Sequence, residues 1–320
     1  MLAVPQAGLA AITSPTEHLN YQEMTRQEVM RALLAHQHVV ETVMREYPIL
    51  PVKFGTVLPE PAWLDYLLTQ GSTRFREAIT QFANQVQIEV VVSWELGPVF
   101  QAISNEPKIV DLKNQIASRS AETTVAERVA LGQAVQESIE RHRTSLRDQL
   151  LAELQAIALE AVSNPPMDDT MVANVALLLD IEGQRKLDQR LDELDKQFNG
   201  FLHFRCVGPL PPYSFATVHV HTATFEQIDA ARQHLGLEPT ASLSAIKRAY
   251  RQQAGQLHPD LNPEGTDAEA RMNQLSQAYQ LLTTYSASHT NPQNDDGETR
   301  CDFSREAVER TLLISIHAQK

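Results

Sequence analysis

"FLHFRCVGPLPPYSFATVHVHT", residues 201–222, carries the reading on which the fold turns. Its two ends, 201–208 and 214–222, alternate apolar with polar residues, the period of a half-buried strand. Leu202, Phe204 and Cys206 fall on one face, with Ala216, Val218 and Val220 set to face them. Phe201, His203, Arg205, Thr217, His219 and His221 fall on the other. The expectation is a hairpin around a proline-rich connection. Working outward, "MVANVALLLD" (171–180) reads as a strand, 182–199 and 225–235 as helices, and "TLLISIH" (311–317) as a last strand. Strand-helix-strand-strand-helix-strand is the ferredoxin-like order. The long segment before the last strand is then an insertion, tolerable because loop-closure entropy grows slowly with length.

The first half repeats the α+β theme. "GLAAI" (8–12) reads as a short strand, and Thr25 with Glu28 three residues on starts a helix running to about Tyr47. Val29, Leu33, Val40 and Met44 form its apolar stripe. "ILPVKFGTVL" (49–58) and "IEVVVSWEL" (88–96) read as strands, with helices at 61–69 and 72–87 divided by Gly71. Helical periodicity runs from about 122 to 162, and "SNPPMDD" (163–169) reads as a linker. The expected fold is therefore α+β: two ferredoxin-like α/β sandwich domains joined by a long helix. Residues 1–107 form the first domain and 108–168 the helical connector and linker. Residues 169–236 plus 308–320 form the second, interrupted by a helical segment at 237–290 and a loop at 291–307.

Composition narrows the function. A net charge of −13 argues against nucleic-acid binding, which needs a basic surface to displace counterions. Two cysteines, Cys206 and Cys301, lie outside any C-x-x-C spacing and fit a reducing cytoplasm. "MLAVPQAGLAAIT" lacks a basic n-region, and the run "VALLLDI" is too short to span a bilayer, so a soluble cytoplasmic protein without membrane contact is expected. No G-x-S-x-G elbow, Walker loop, G-x-G-x-x-G turn or H-E-x-x-H helix is present, and nothing reads as catalytic. His203, His219 and His221 are weak metal candidates, lacking a carboxylate or thiolate companion. No metal and no cofactor are expected.

In "GPLPPYSFATV" (208–218), Gly208 permits a sharp exit from the strand, and Pro209, Pro211 and Pro212 stiffen the connection beyond it. Tyr213 and Phe215 carry the large apolar surface. A rigid aromatic loop suits docking, since little entropy is lost on binding, so Pro211, Pro212, Tyr213 and Phe215 are the candidate partner-binding residues. A structural corner whose aromatics cap their own core is the other reading. "LPVKFGTV" (50–57), after a helix containing "HQHVVETV" (36–43) and with "GPLPPYSF" (208–215) downstream, resembles the gas vesicle protein GvpL/GvpF family. The resemblance covers about residues 8–222 and fits the final strand. It implies a non-enzymatic accessory or minor structural protein of gas vesicles, located at the vesicle in the cytoplasm. It also implies as partners the small hydrophobic shell protein GvpA and other gas vesicle accessory proteins. Family members usually open with a strand resembling "YLYGI", which has no counterpart here, so the first family strand is expected to be missing.

Residues 235–285 are similar to the helical hairpin of DnaJ. Ser242 caps a helix to Leu257, His258-Pro259-Asp260 marks the turn, and a second helix spans about 267–285. Ile246, Ala249, Tyr250, Leu257, Leu275, Ala278, Tyr279 and Leu282 supply the seam between them. In such a J domain the basic helix, here Lys247, Arg248 and Arg251, meets an acidic DnaK-type chaperone. The neutral "QQAGQL" before the motif and Leu261 after it depart from the pattern. Two functions compete: a gas vesicle assembly factor carrying an architectural J-like hairpin, or a J-domain co-chaperone stimulating a DnaK-type ATPase.

Overall fold

The structure, a computed structural model, describes residues 1–16, 24–117, 119, 124–257, 268–288 and 300–317. In chain order its elements begin with β1 (Leu2–Gln6), β2 (Leu9–Thr13), α1 (Arg26–Met44), α2 (Pro61–Gln81), β3 (Val86–Trp94), α3 (Leu96–Ser104) and α4 (Pro107–Ala117). Next come α5 (Val125–Gln155), β4 (Glu160–Asn164), β5 (Met171–Leu179), α6 (Ile181–Phe198), β6 (Leu202–Leu210), β7 (Thr217–Thr222) and α7 (Phe225–His234). The last are β8 (Thr240–Ser242), α8 (Leu243–Leu257), α9 (Ala268–Ser288), β9 (Arg300–Asp302), α10 (Arg305–Glu309) and β10 (Leu312–His317). They fall into two compact units, one of Phe82–Phe215, the other of the chain up to Gln81 together with Ala216 through β10.

The unit Phe82–Phe215 is built on an antiparallel sheet of order β4-β5-β3-β6. With β3, helices, β4, β5, α6 and β6 in sequence, this is the ferredoxin-like arrangement. Alternate residues Val90, Val92 and Trp94 of β3 pack with Val99, Ile103, Ile109, Leu150, Leu154, Leu187 and Leu194 of the helices. The helix starts obey local chemistry: Asp180 caps α6, its carboxylate accepting from the Gly183 N–H at 2.7 Å. Residues 163–169, expected as a linker, instead complete β4 and turn the chain into β5. The Asp168 carboxylate makes that turn, accepting from the N–H groups of Thr170 (2.9 Å) and Met171 (3.1 Å). Residues 88–96, expected in the first sheet, supply most of β3, the strand flanked by β5 and β6.

The other unit contains the β1–β2 hairpin, the antiparallel pair β7–β10, the ribbon β8–β9 and the helices around them. Thr25 and Glu28 form the expected capping box of α1. No residue of α1 is buried, so its stripe is at most half-covered. The two helices expected around Gly71 are one, α2. Gly71 is a space requirement rather than a break: a Cβ there would lie 2.3 Å from the Phe75 ring. The expected strand 49–58 reduces to one parallel bridge, Val52 with Val218. Pro51 lacks an N–H and Gly55 takes φ 86°, which together end the extended run.

The expected hairpin of 201–208 with 214–222 does not form. Both runs are strands, yet β6 pairs with β3 and β7 with β10. Alternation fixes which side chains share a face but does not choose the partner. The last strand pairs with β7 from Leu312 opposite Thr222 to His317 opposite Thr217, after the excursion through α8 and α9.

Candidate functional site

The proline loop is held from below by a residue with no sequence signature. Gln87 of β3 is 1% exposed; its Oε1 accepts from the Ser214 N–H at 2.8 Å and its Nε2 donates to Glu89 at 3.1 Å. Opposite it the ladder bulges. Val207 pairs with Glu89 and Leu210 with Gln87, so Gly208 and Pro209 stand against Ile88 alone. Gly208 has φ 151° and the Gly208–Pro209 peptide is cis. The loop then folds on itself, Phe215 N–H donating to Pro212 O at 3.0 Å and Tyr213 N–H to Pro211 O at 2.7 Å. Pro211, Pro212 and Phe215 are buried and Tyr213 half-buried. The aromatic surface expected to face a partner is turned inward, which makes the loop a shaped corner.

Two other family-like stretches meet in the unit that holds α1. His36 of α1 packs edge-on against Phe54, ring centres 5.6 Å apart, and burial lowers its pKa. The segment carrying Phe54 is tied to β7: Lys53 N–H donates to Val218 O and Val218 N–H to Pro51 O, both at 2.8 Å. The helix "HQHVVETV", the segment "LPVKFGTV" and the strand leaving "GPLPPYSF" thus form one junction. Beside it α1 exposes Met30 (48%), Leu33 (38%) and Leu34 (58%), with Arg26, Gln27 and Arg31 around them. Periodicity marked α1 as amphipathic but could not say that this ridge stays open.

On α8, Lys247, Arg248 and Arg251 are exposed and line a shallow surface depression with Ser244 and Gln252. The opposite side of the helix carries Ile246, fully buried, and Tyr250, stacked on Tyr279 of α9 with ring centres 4.3 Å apart. Among the described residues the expected seam therefore forms from Ile246, Ala249, Tyr250, Leu275, Ala278, Tyr279 and Leu282, with the basic side chains exposed on the other side. His258, Pro259 and Asp260 lie outside the described residues.

The histidines are not brought together as cross-strand neighbours, because β6 and β7 do not pair. His203 lies 3.5 Å from Glu95, while His219 and His221 stand opposite Ser315 and Leu313. Among the described residues no group of three or more His, Cys, Asp or Glu is placed to hold a metal. Burial raises the pKa of Cys301, which disfavours a reactive thiolate there, while Cys206 is exposed. Among the described residues no helix is long and apolar enough to cross a membrane.

Comparison with known proteins agrees with these two parts. The family model for gas vesicle synthesis protein GvpL/GvpF matches residues 2–217, and that for the DnaJ domain matches residues 223–288. The chain belongs to the GvpL/GvpF family and carries a J domain after the family region. It is 26% identical over 192 residues to gas vesicle protein F of Microcystis aeruginosa, covering 58% of this chain and 77% of that one. It is 50% identical over 48 residues to chaperone protein DnaJ of Paramagnetospirillum magneticum, covering 15% of this chain and 12% of that one. The crystal structure of the gas vesicle protein GvpF from an Anabaena species is similar with a TM-score of 0.56 at 22% identity, covering 66% of this chain and 85% of that one. That last likeness concerns the fold.

Proposed function

We propose that the chain is a gas vesicle assembly factor that binds the small hydrophobic shell protein GvpA at the vesicle in the cytoplasm. Its membership of the GvpL/GvpF family, over 2–217, carries this reading. The open ridge of Met30, Leu33 and Leu34 gives the docking a place, since exposed apolar patches rimmed by polar groups mark interaction sites. The strongly acidic remainder keeps such a complex dispersed. In this reading Pro211, Pro212, Tyr213 and Phe215 shape the corner after β6 and the ridge makes the contact. The test is co-purification of the chain with GvpA and with isolated vesicles. Met30→Glu plus Leu34→Glu is expected to reduce recovery with both while leaving the melting temperature close to wild type. Equal recovery of wild type and the double variant would refute the ridge, and absence of the chain from both fractions would refute the assembly role.

A second reading, recruitment of a DnaK-type chaperone, is favoured by the exposed basic face of α8. Charge complementarity both accelerates and orients such docking. Against strong stimulation, "QQAGQL" puts no charge beside the motif, and the chain's negative charge opposes approach to an acidic surface within the screening length. The ATPase rate of a DnaK-type partner is expected to be near basal with wild type and with His258→Gln alike. Strong stimulation lost in the variant would establish the co-chaperone reading.

A further inference from the structure

We infer that β10 joins the J domain and the GvpL/GvpF region of its unit into one cooperative body, so that a disturbance of the J helices is felt at the bridge to "LPVKFGTV". The strand is buried on both faces. Leu313 (0% exposed) belongs to the core formed by Ile246, Leu275, Leu282 and Tyr285 of the J helices. Leu312 and Ile314 (each 1%) belong to a different core, with Leu67 and Phe75 of α2 and Val218 of β7. Successive residues of a strand point to opposite faces, so three consecutive residues, Leu312, Leu313 and Ile314, wall off two cores at once.

The J core is also closed by chain that comes after it. Cys301, Phe303 and Val308 complete the cluster, and the Tyr285 hydroxyl donates to Asp302 O. At the end of α9, buried Ser288 accepts from the Ile314 N–H at 2.9 Å, clamping the helix to the strand. From there the ladder is continuous: Ile314 pairs with Val220, Ile316 with Val218, and Val218 exchanges both of its backbone hydrogen bonds with the 51–53 segment. Removing β10 from this position would expose apolar surface in both cores, so local opening of one lowers the cost of opening the other. Such coupling is reciprocal, because it is a free energy shared by the two sites.

Hydrogen exchange of the full chain tests this in both directions. Leu282→Ala disturbs the J core only; the amides of Lys53, Val218 and β10 are expected to exchange at least roughly fivefold faster, together with those of α8 and α9. Leu312→Ala disturbs the α2 core and is expected to speed exchange in α8 and α9 to a similar degree. Ser288→Ala, which removes one hydrogen bond and no packing, provides the milder variant should either alanine substitution prevent folding; it is expected to loosen both sides. Acceleration confined to the mutated core, for any variant that folds, would overturn the inference.

Discussion

Gly208 offers the sharpest single-residue test of the proline corner. An added Cβ would lie 2.9 Å from Gln87 O and 3.3 Å from Ile88 Cα, both backbone atoms that cannot move aside alone. With φ in the region that favours glycine, Gly208→Ala is expected to lower stability by about 1–3 kcal/mol, read from chemical denaturation. Gln87→Leu keeps the volume but deprives Ser214 N–H of its acceptor; a loss of about 1–3 kcal/mol is expected for that unpaired donor. Nothing in the local sequence marks Gln87, because its partner is 127 residues away. A third residue sets acid sensitivity. Hydrogen bonds from Ser138 (2.5 Å) and His142 (2.9 Å), and the charge of Arg141, hold the Glu106 carboxyl below its ordinary pKa. A depressed carboxylate stabilises fully above its unfolded pKa and loses that contribution as pH falls through the folded one. Thermal melts below the usual carboxylate range should therefore fall less steeply with pH in Glu106→Gln than in wild type; parallel slopes would remove Glu106 from the account.

At the scale of elements, α5 is pinned by Arg143, whose side chain is 8% exposed. It donates to Glu140 at 2.6 Å and to Asp169 O at 3.0 Å, with its guanidinium 5.9 Å from the Trp94 ring centre. Arg143→Ala is expected to cost about 1.5–3 kcal/mol, the range for hydrogen bonds to a charged group. Arg147→Ala, on a more exposed pair 3.4 Å from Asp148, is expected to cost at most about 1 kcal/mol. Comparable losses would show that helix propensity, rather than the buried clamp, is being measured. Elements were legible in the sequence where the signal is local. The Thr25–Glu28 box, the J seam from Ile246 to Leu282 and the alternation of 311–317 all report on neighbours within a few residues or on a single face. Pairing was not legible, because β6 and β7 carry similar alternation and strands choose partners by the fit of the whole sheet. Thus 88–96 joined a different sheet from the one expected, and 214–222 left the strand it was expected to pair with. The corner at 208–215 was legible as rigid, but its burial depends on Gln87 and on turns that composition does not encode. The basic face of α8 was legible because charge spacing on a helix is itself geometry.

For the whole molecule, two family regions share one chain, and β10 returns from the J domain to pair beside the GvpL/GvpF junction. A chain built this way can use the J helices as architecture whether or not they stimulate a chaperone. If the chain assembles gas vesicles as proposed, it is needed to make them and the His258 motif is not. The most direct measurement is the yield of buoyant vesicles in cells lacking this chain, complemented with wild type or with His258→Gln. Loss of vesicles on deletion and restoration by both forms are expected. An undiminished yield without the chain, or restoration by wild type alone, would contradict this expectation.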